Sequence, residues 1–279
     1  MNCIKPRLAF DNSRSVSLIK YQALGNDYLV LDLPAPLDRI VALLPALCDR
    51  HFGLGSDGLL AFDAPAWSVR IFNPDGSEAE KSGNGLRITA CHAVLEHGAP
   101  SAFSLQTVGG PNAVRLLDRR GPEVVTEVDI GRPSFREKGR TRIETPAGMV
   151  EAVLVSVGNP HCVVLGEPVT RVRCLELGPV LETHALFPDR TNVQLVEVLG
   201  RDRARIEIWE RGAGYTLASG TSAGAVAAAL MREGLVDSSV TIVMPGGSLA
   251  VRQAEGGSLV QSGPARRVYR ARIDLDDLS

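Results

Sequence analysis

Two segments of the chain repeat one pattern, a serine and a glycine followed by a run typical of a helix. They read KSGNGLR at residues 81–87 and ASGTSAG at residues 218–224, and each run ends near a glycine, Gly98 or Gly234. A helix start presents unpaired N–H groups and positive dipole potential, which favour an anion. Two such starts aimed at one point predict a site for a carboxylate, or for the enolate formed when its α-carbon loses a proton. Ser82 and Ser219 are the candidate catalytic residues there.

The repetition extends beyond the serines. LGNDYLVL at residues 24–31 resembles VGNPHCVV at residues 157–164, and a polar loop precedes each serine, NPDG at 73–76 and ERGAG at 210–214. This order predicts two similar halves with a site between them, although a duplicated fold with two unrelated turns would give the same pattern. We expect residues 15–130 to form the first half and 131–264 the second. A last strand at about 265–279 would return to the first half.

Composition excludes several classes of protein. The chain has 279 residues, of which 44% are hydrophobic and 22% charged, and its net charge of −2 gives no reason to expect nucleic acid as a partner. No apolar run reaches the length of a membrane span, and the N-terminus lacks the apolar stretch of a secretory signal, so the cytoplasm is expected. The five cysteines show neither CxxC nor Cys/His metal spacing. We therefore expect no metal and no disulfide framework, with Cys91 and Cys162 as buried apolar side chains.

The pattern of apolar residues predicts a strand-rich chain with few helices. Helices are expected at residues 37–51, with Pro45 near the middle, at 86–96 and at 221–231, and the first 14 or so residues form an extension. Residues 53–58 have the GxGxxG spacing but follow a helix-like segment rather than a strand. Neither a dinucleotide site nor a pyridoxal site is predicted, and we expect no cofactor.

The motifs in this order resemble the diaminopimelate epimerase family of cofactor-independent amino-acid epimerases, from Lys20 to about Ile273. The matching segments are LGNDY (24–28), GLGSDG (53–58), FNPDGSEAE (72–80), SGNGLR (82–87), GNPHC (158–162), RTNV (190–193) and ERGAG (210–214) leading to SGT (219–221). The resemblance implies an α/β (α+β) fold of two pseudo-symmetric halves. Each half would be a mixed barrel-like sheet around a central helix, with the active site in the cleft between them.

The resemblance also implies a ligand and the residues that hold it. The ligand would be a small-molecule amino acid or dicarboxylic amino acid, and the sequence leaves open whether the protein forms a homodimer. Side chains at six positions would hold its amino and carboxylate groups: Asn26, Asn73, Asn159, Asn192, Glu210 and Arg211. Backbone N–H groups of Gly83, Asn84, Gly220 and Thr221 would hold the carboxylate at the reacting centre, and His161 would tune the local field.

The departure from the family concerns the reacting centre. Family members carry cysteine at both positions where this chain has Ser82 and Ser219, and a serine hydroxyl is too weak an acid to replace a thiolate without an adjacent base. Lys81 and Tyr215 are the candidate bases. The main interpretation is a cofactor-independent amino-acid epimerase or racemase of the diaminopimelate epimerase type, which transfers the α-proton between two faces of the substrate. Three alternatives stay open: a Cys-to-Ser variant, an isomerase or dehydratase on a related acid that uses serine with a local base, and a homologue that binds a ligand without catalysis.

Overall fold

The computed structural model describes residues 15–79 and 82–278, which form a mixed α/β structure in which strands dominate. The strands of the first half are β1 (Ser15–Ala23), β2 (Asn26–Asp32), β3 (Leu59–Asp63), β4 (Ser68–Phe72), β5 (Glu78–Ala79), β6 (Ala102–Thr107), β7 (Gly110–Arg120) and β8 (Glu123–Gly131). Those that follow are β9 (Ser134–Phe135), β10 (Thr141–Thr145), β11 (Gly148–Ser156), β12 (Pro160–Leu165), β13 (Asn192–Gly200), β14 (Arg203–Glu210), β15 (Gly214–Thr216), β16 (Ser239–Met244), β17 (Gly247–Gln253) and β18 (Leu259–Asp274).

The helices are fewer and shorter than the strands. They are α1 (Leu37–Ala42), α2 (Leu44–Cys48), α3 (Gly83–Glu96), α4 (Arg171–Glu182) and α5 (Gly220–Arg232), and a 3₁₀ turn covers Leu275–Leu278. Among the described residues, no helix combines the length and the apolar character that a bilayer crossing requires.

The two halves repeat the same strand pairings. In the first half β1 and β2 are antiparallel, β2 and β3 parallel, β3 and β4 antiparallel, and β4 and β6 parallel. In the second half β11, β12, β13, β14 and β16 repeat this alternation in the same order. The predicted fold of two similar mixed sheets is therefore confirmed.

Each half closes around one buried helix. Every residue of α3 from Gly83 to Val94 is buried, as is every residue of α5 from Gly220 to Leu230. A helix that sheet covers on all sides must be apolar or small nearly all round, and the alanine-rich sequence of α5 meets this requirement. The start of each helix alone reaches the cleft between the halves.

Strand β18 belongs to both halves. Its residues 259–262 pair with β17 of the second half on one side, and its residues 259–266 pair with β8 of the first half on the other. Its later residues, 266–274, pair with β1, and this ladder joins Ser15 to Asp274. The two sheets are thus continuous through one strand.

Two helix predictions need correction. The single helix expected at 37–51 is wrong, because it breaks into α1 and α2 at Leu43, just before Pro45 in the first turn of α2. A proline at that place lacks an N–H and clashes with the preceding turn, but it suits a new helix start. Helix α4 was not predicted, because Gly178 and Pro179 inside it are typical of a turn. Gly178 is needed there, since a Cβ would lie 2.5 Å from the Trp209 ring.

Candidate active site

A cleft between the two halves holds a cavity of about 860 Å³. Both serines of the repeated motif line it. The other lining residues include all ten of the predicted ligand-binding residues: Asn26, Asn73, Gly83, Asn84, Asn159, Asn192, Glu210, Arg211, Gly220 and Thr221. The structure therefore brings together residues from both halves that the sequence places far apart.

The starts of α3 and α5 meet backbone to backbone at the floor of this cleft. A Cβ added to Gly83 would lie 3.0 Å from the Cα of Gly220, and one added to Gly220 would lie 2.9 Å from the Cα of Gly83. Gln261 of β18 packs against both glycines and donates from Nε2 to the carbonyl of Gly83 at 3.2 Å. Glycine is required at both positions because no side chain fits at this distance.

Each serine caps the helix that follows it. Ser82 Oγ accepts from the N–H of Gly85 at 3.0 Å, and Ser219 Oγ accepts from the N–H of Ser222 at 3.3 Å. A cap of this kind satisfies only one of the free donors of a helix start. In each helix, two residues lie between the serine and the residue whose N–H it accepts: Gly83 and Asn84 in α3, and Gly220 and Thr221 in α5. Among the described residues, no acceptor takes the backbone N–H groups of these four.

The two serines have different neighbours. Glu210 lies beside Ser219, and burial raises the pKa of its carboxyl, as does the negative charge of Asp57, while the Ser219 hydroxyl opposes that shift. Tyr28 lies beside Ser82, and burial raises the pKa of its phenol well above the usual range, again opposed by the serine hydroxyl. A carboxylate with a raised pKa is a better base at neutral pH. Such a phenol stays protonated, so among the described residues only the second half offers a base beside its serine.

His161 holds one asparagine of the cleft in place. Its Nε2 contacts Asn159 Oδ1 at 2.9 Å, and its Nδ1 contacts Gln194 Nε2 at 3.1 Å. Burial lowers the pKa of the imidazole to about 3, and the positive charge of Arg211 acts in the same direction. The ring is therefore neutral at physiological pH. Because Gln194 donates to Nδ1, the proton lies on Nε2 and faces the Asn159 oxygen, which turns the amide N–H groups of Asn159 away from His161.

A chain of polar contacts fixes the asparagines of the first half. Arg87 is fully buried and donates to the carbonyl of Gly83 at 3.2 Å and to Asn84 Oδ1 at 2.6 Å. Asn84 Nδ2 in turn donates to Asn26 Oδ1 at 3.0 Å, and Asn26 Nδ2 donates to Asp57 Oδ2 at 2.7 Å. Asn84 Nδ2 also donates to the carbonyl of Ala218 at 3.1 Å, which ties the chain to the second half.

Three of the side chains expected to hold the ligand, those of Asn192, Arg211 and Asn73, line one end of the cleft. Asn192 donates from Nδ2 to the carbonyl of Pro160 at 2.9 Å and accepts from the backbone N–H of Arg211 at 3.0 Å. The Arg211 guanidinium is exposed and contacts only the carbonyl of Asp189, at 3.1 Å, among the described residues. Asn73, on the opposite wall, is held by Ser77 at 2.9 Å. Because the Arg211 guanidinium has no carboxylate partner among the described residues, it suits recognition of an acidic ligand group.

Of the two candidate bases, Tyr215 does not reach either serine in the described structure. The Tyr215 hydroxyl donates to Glu207 at 2.7 Å, its ring stacks on Arg171, and it is not among the lining residues. Tyr215 therefore belongs to the packing of the second half. Lys81 lies outside the described residues. Sequence reasoning missed Tyr28 as a partner of Ser82, although Tyr28 is part of the repeated GND/GNP segment, where its counterpart is His161.

Comparison with known proteins gives relatives along nearly the whole chain. The model of the diaminopimelate epimerase family matches residues 18–136 and 153–268. A protein named diaminopimelate epimerase 2 from a Nostoc species is 42% identical over 254 residues, covering 84% of this chain and 87% of its own length. The diaminopimelate epimerase of a Synechocystis species is 36% identical over 283 residues, covering 94% of this chain and all of its own.

Solved structures share the fold at low sequence identity. A hydroxyproline epimerase from Agrobacterium vitis, with trans-4-hydroxy-L-proline bound, superposes with a TM-score of 0.72 at 18% identity, covering 95% of this chain and 94% of its own. A predicted epimerase from Pseudomonas aeruginosa gives a TM-score of 0.69 at 19% identity, covering 92% and 99%. At this identity the likeness concerns the fold alone.

Proposed function

The chain belongs to the diaminopimelate epimerase family, the cofactor-independent amino-acid epimerases, and on that premise we propose that its substrate is a diamino-dicarboxylic acid such as diaminopimelate. The observation that carries this proposal is the meeting of two capped helix starts, those of Ser82 and Ser219, in a cleft whose far end presents Arg211. We further propose that the protein acts in the cytoplasm.

The substrate would lie along the cleft with one carboxylate at each end. The reacting carboxylate takes the N–H groups of Gly83, Asn84, Gly220 and Thr221, which no acceptor among the described residues uses. Negative charge that develops on this carboxylate as the α-proton leaves is stabilised by the same groups and by two helix dipoles. The distal carboxylate pairs with Arg211, and the amide N–H groups of Asn159 add a donor beside it.

Proton removal would occur on the face of Ser219. A serine hydroxyl can accept the α-proton only if its own proton leaves at the same time. Glu210 is the acceptor for that proton: the α-proton passes to Ser219 Oγ, the hydroxyl proton of Ser219 passes to the Glu210 carboxylate, and the electron pair of the C–H bond remains in the substrate enolate. Glu210 ends the step protonated and Ser219 is unchanged.

Proton return would occur on the face of Ser82. The Ser82 hydroxyl gives its proton to the α-carbon and draws a replacement from the Tyr28 hydroxyl, which must then recover a proton from water. Because the pKa of Tyr28 is raised, this step is harder than the first. The asymmetry favours a second candidate function, an isomerisation or dehydration that follows one-sided proton removal.

Solvent-deuterium incorporation at the α-carbon of diaminopimelate and a panel of related amino acids tests the proposal. Exchange accompanied by inversion supports the epimerase. Exchange or loss of water without inversion supports the second candidate and contradicts the two-sided mechanism. Tight binding without exchange would show a homologue that binds without catalysis.

A further inference from the structure

Outside the cleft, the described residues bring two histidines and a carboxylate together at the far end of α3. Asp32 is the last residue of β2, His92 lies in α3, and His97 follows its last residue. The Nε2 atoms of His92 and His97 lie 2.8 and 2.9 Å from the same oxygen, Asp32 Oδ1. One ligand atom from each residue lies within 4.8 Å of the other two.

His92, the most buried member of this cluster, is fixed by two further contacts. His92 has no solvent exposure, and its Nδ1 contacts the hydroxyl of Tyr21 at 3.0 Å. Phe62 packs edge-on against the ring at 5.4 Å between centroids. A fixed ring whose second nitrogen has an oxygen partner is the usual arrangement around a metal-bound histidine, since that partner sets the tautomer and the orientation.

We propose that Asp32, His92 and His97 form a binding site for one divalent transition-metal ion such as Zn²⁺. Two imidazole nitrogens and a carboxylate oxygen are ligands that Zn²⁺, Co²⁺ and Ni²⁺ accept. Asp32 is 45% exposed in its side chain and His97 27%, so water reaches the cluster and can complete the coordination. The negative end of the α3 dipole lies beside His97 and favours a cation.

The position of the cluster gives the ion a structural role. Strand β2 begins at Asn26 in the cleft and ends at Asp32, while α3 begins beside Ser82 in the cleft and ends beside His97. Seven strand residues and fourteen helical residues both span about 20 Å. An ion at the cluster would therefore tie together the far ends of two elements whose near ends form the active site, and we expect it to stabilise the fold.

Titration of the metal-stripped chain with Zn²⁺, in competition with a chromophoric chelator, tests the site. We expect one equivalent to bind and the thermal midpoint to rise with it. His97→Ala and Asp32→Asn, both at the open side of the cluster, should each weaken binding at least about tenfold, and Tyr21→Phe should weaken it about 10- to 100-fold by removing the partner of His92. His184→Ala, a histidine of the second half, is the matched control and should bind as the unaltered chain does.

Co²⁺ gives an independent readout, because its visible absorption reports histidine ligation whether or not the enzyme turns over. Loss of that absorption in His97→Ala but not in His184→Ala supports the assignment. The proposal is overturned if the unaltered chain binds no Zn²⁺, or if His97→Ala and Asp32→Asn bind it with unchanged affinity.

Discussion

The first half presents Ser82 beside a tyrosine, and the second presents Ser219 beside a carboxylate. The surrounding backbone is otherwise repeated, with the same strand pairings, the same serine cap and the same glycine contact at each helix start. Duplication thus supplies two equivalent places for an anion. It does not supply two equivalent acid–base groups, because these come from β2 in one half and from β14 in the other.

This difference shows which features of the site are set by the fold and which by single residues. In the proposed mechanism, anion binding depends on backbone N–H groups at the two helix starts. Proton transfer depends on the residue next to each serine, and these residues differ between the halves. With serine at positions 82 and 219, the proposed mechanism keeps the first property, while the second rests on Glu210 among the described residues.

The largest expected effect distinguishes proton removal on the Ser219 side of the substrate from proton return on the Ser82 side. Glu210→Gln should lower the rate of α-proton exchange about 10²- to 10⁴-fold, the usual range for loss of a general base. Tyr28→Phe should reduce exchange far less, since Tyr28 acts only on proton return, while inversion should fall in both. Measurement of deuterium incorporation and of inversion in the same samples checks this, and equal exchange defects would contradict the assignment of faces.

The pH dependence of exchange follows from the same residue. Glu210 must be ionised to accept a proton, and its pKa is raised. As the pH is lowered, the exchange rate should therefore begin to fall at a higher pH than it would with a carboxyl group of ordinary pKa. The residual exchange of Glu210→Gln should not show this fall at low pH.

The next prediction tests whether exchange requires Glu210 because positions 82 and 219 carry serine rather than cysteine. A thiol at a helix start ionises far more readily than a hydroxyl, so Ser82→Cys combined with Ser219→Cys should gain exchange on diaminopimelate. Adding Glu210→Gln to that double variant should then cost less than about tenfold. Two outcomes would contradict the roles proposed for the groups beside Ser82 and Ser219. One is that Glu210→Gln lowers exchange in the double variant as much as in the parent. The other is that the double variant binds diaminopimelate but shows no exchange.

The last prediction concerns the end of the cleft at which Arg211 of the second half lies. Arg211→Gln should weaken binding of a dicarboxylic amino acid roughly 10- to 100-fold, as expected for loss of one hydrogen-bonded charge pair near the surface. Arg190→Gln is the matched control, because Arg190 lies in the same region but pairs with Glu182. Calorimetric titration should show little change for the control, and equal losses would indicate that general charge, rather than the cleft, attracts the ligand.

Much of this architecture could be predicted from the sequence because it depends on repetition. The Ser-Gly and Gly-Asn pairs recur in order, so they indicate two halves and a shared site before any coordinates exist. Helix α4 could not be predicted in the same way. Its Gly178 is dictated by the Trp209 ring, a contact between residues far apart in the sequence.

The side chains around the serines were harder to assign. Tyr215 is close to Ser219 in sequence, yet β15 turns its hydroxyl towards Glu207. Glu210 lies further from Ser219 in sequence but ends β14 at the cleft. Sequence separation says little about which side chain reaches a hydroxyl, because strand direction and register decide it. The buried Arg87 was likewise not singled out, since its role depends on the cleft asparagines that it holds.

The path of β18 has a consequence for how the chain acquires its structure during synthesis. The first sheet pairs Ser15 with Asp274, so its last strand is synthesised only after all the residues between these two. Contacts this distant in sequence form slowly and leave strand edges unpaired in the meantime. The two halves have similar structures, but the sheet of the first half is completed only after the second half has been synthesised. We therefore expect the strands of the first half to be the part of the chain most prone to aggregate during synthesis and most dependent on chaperones.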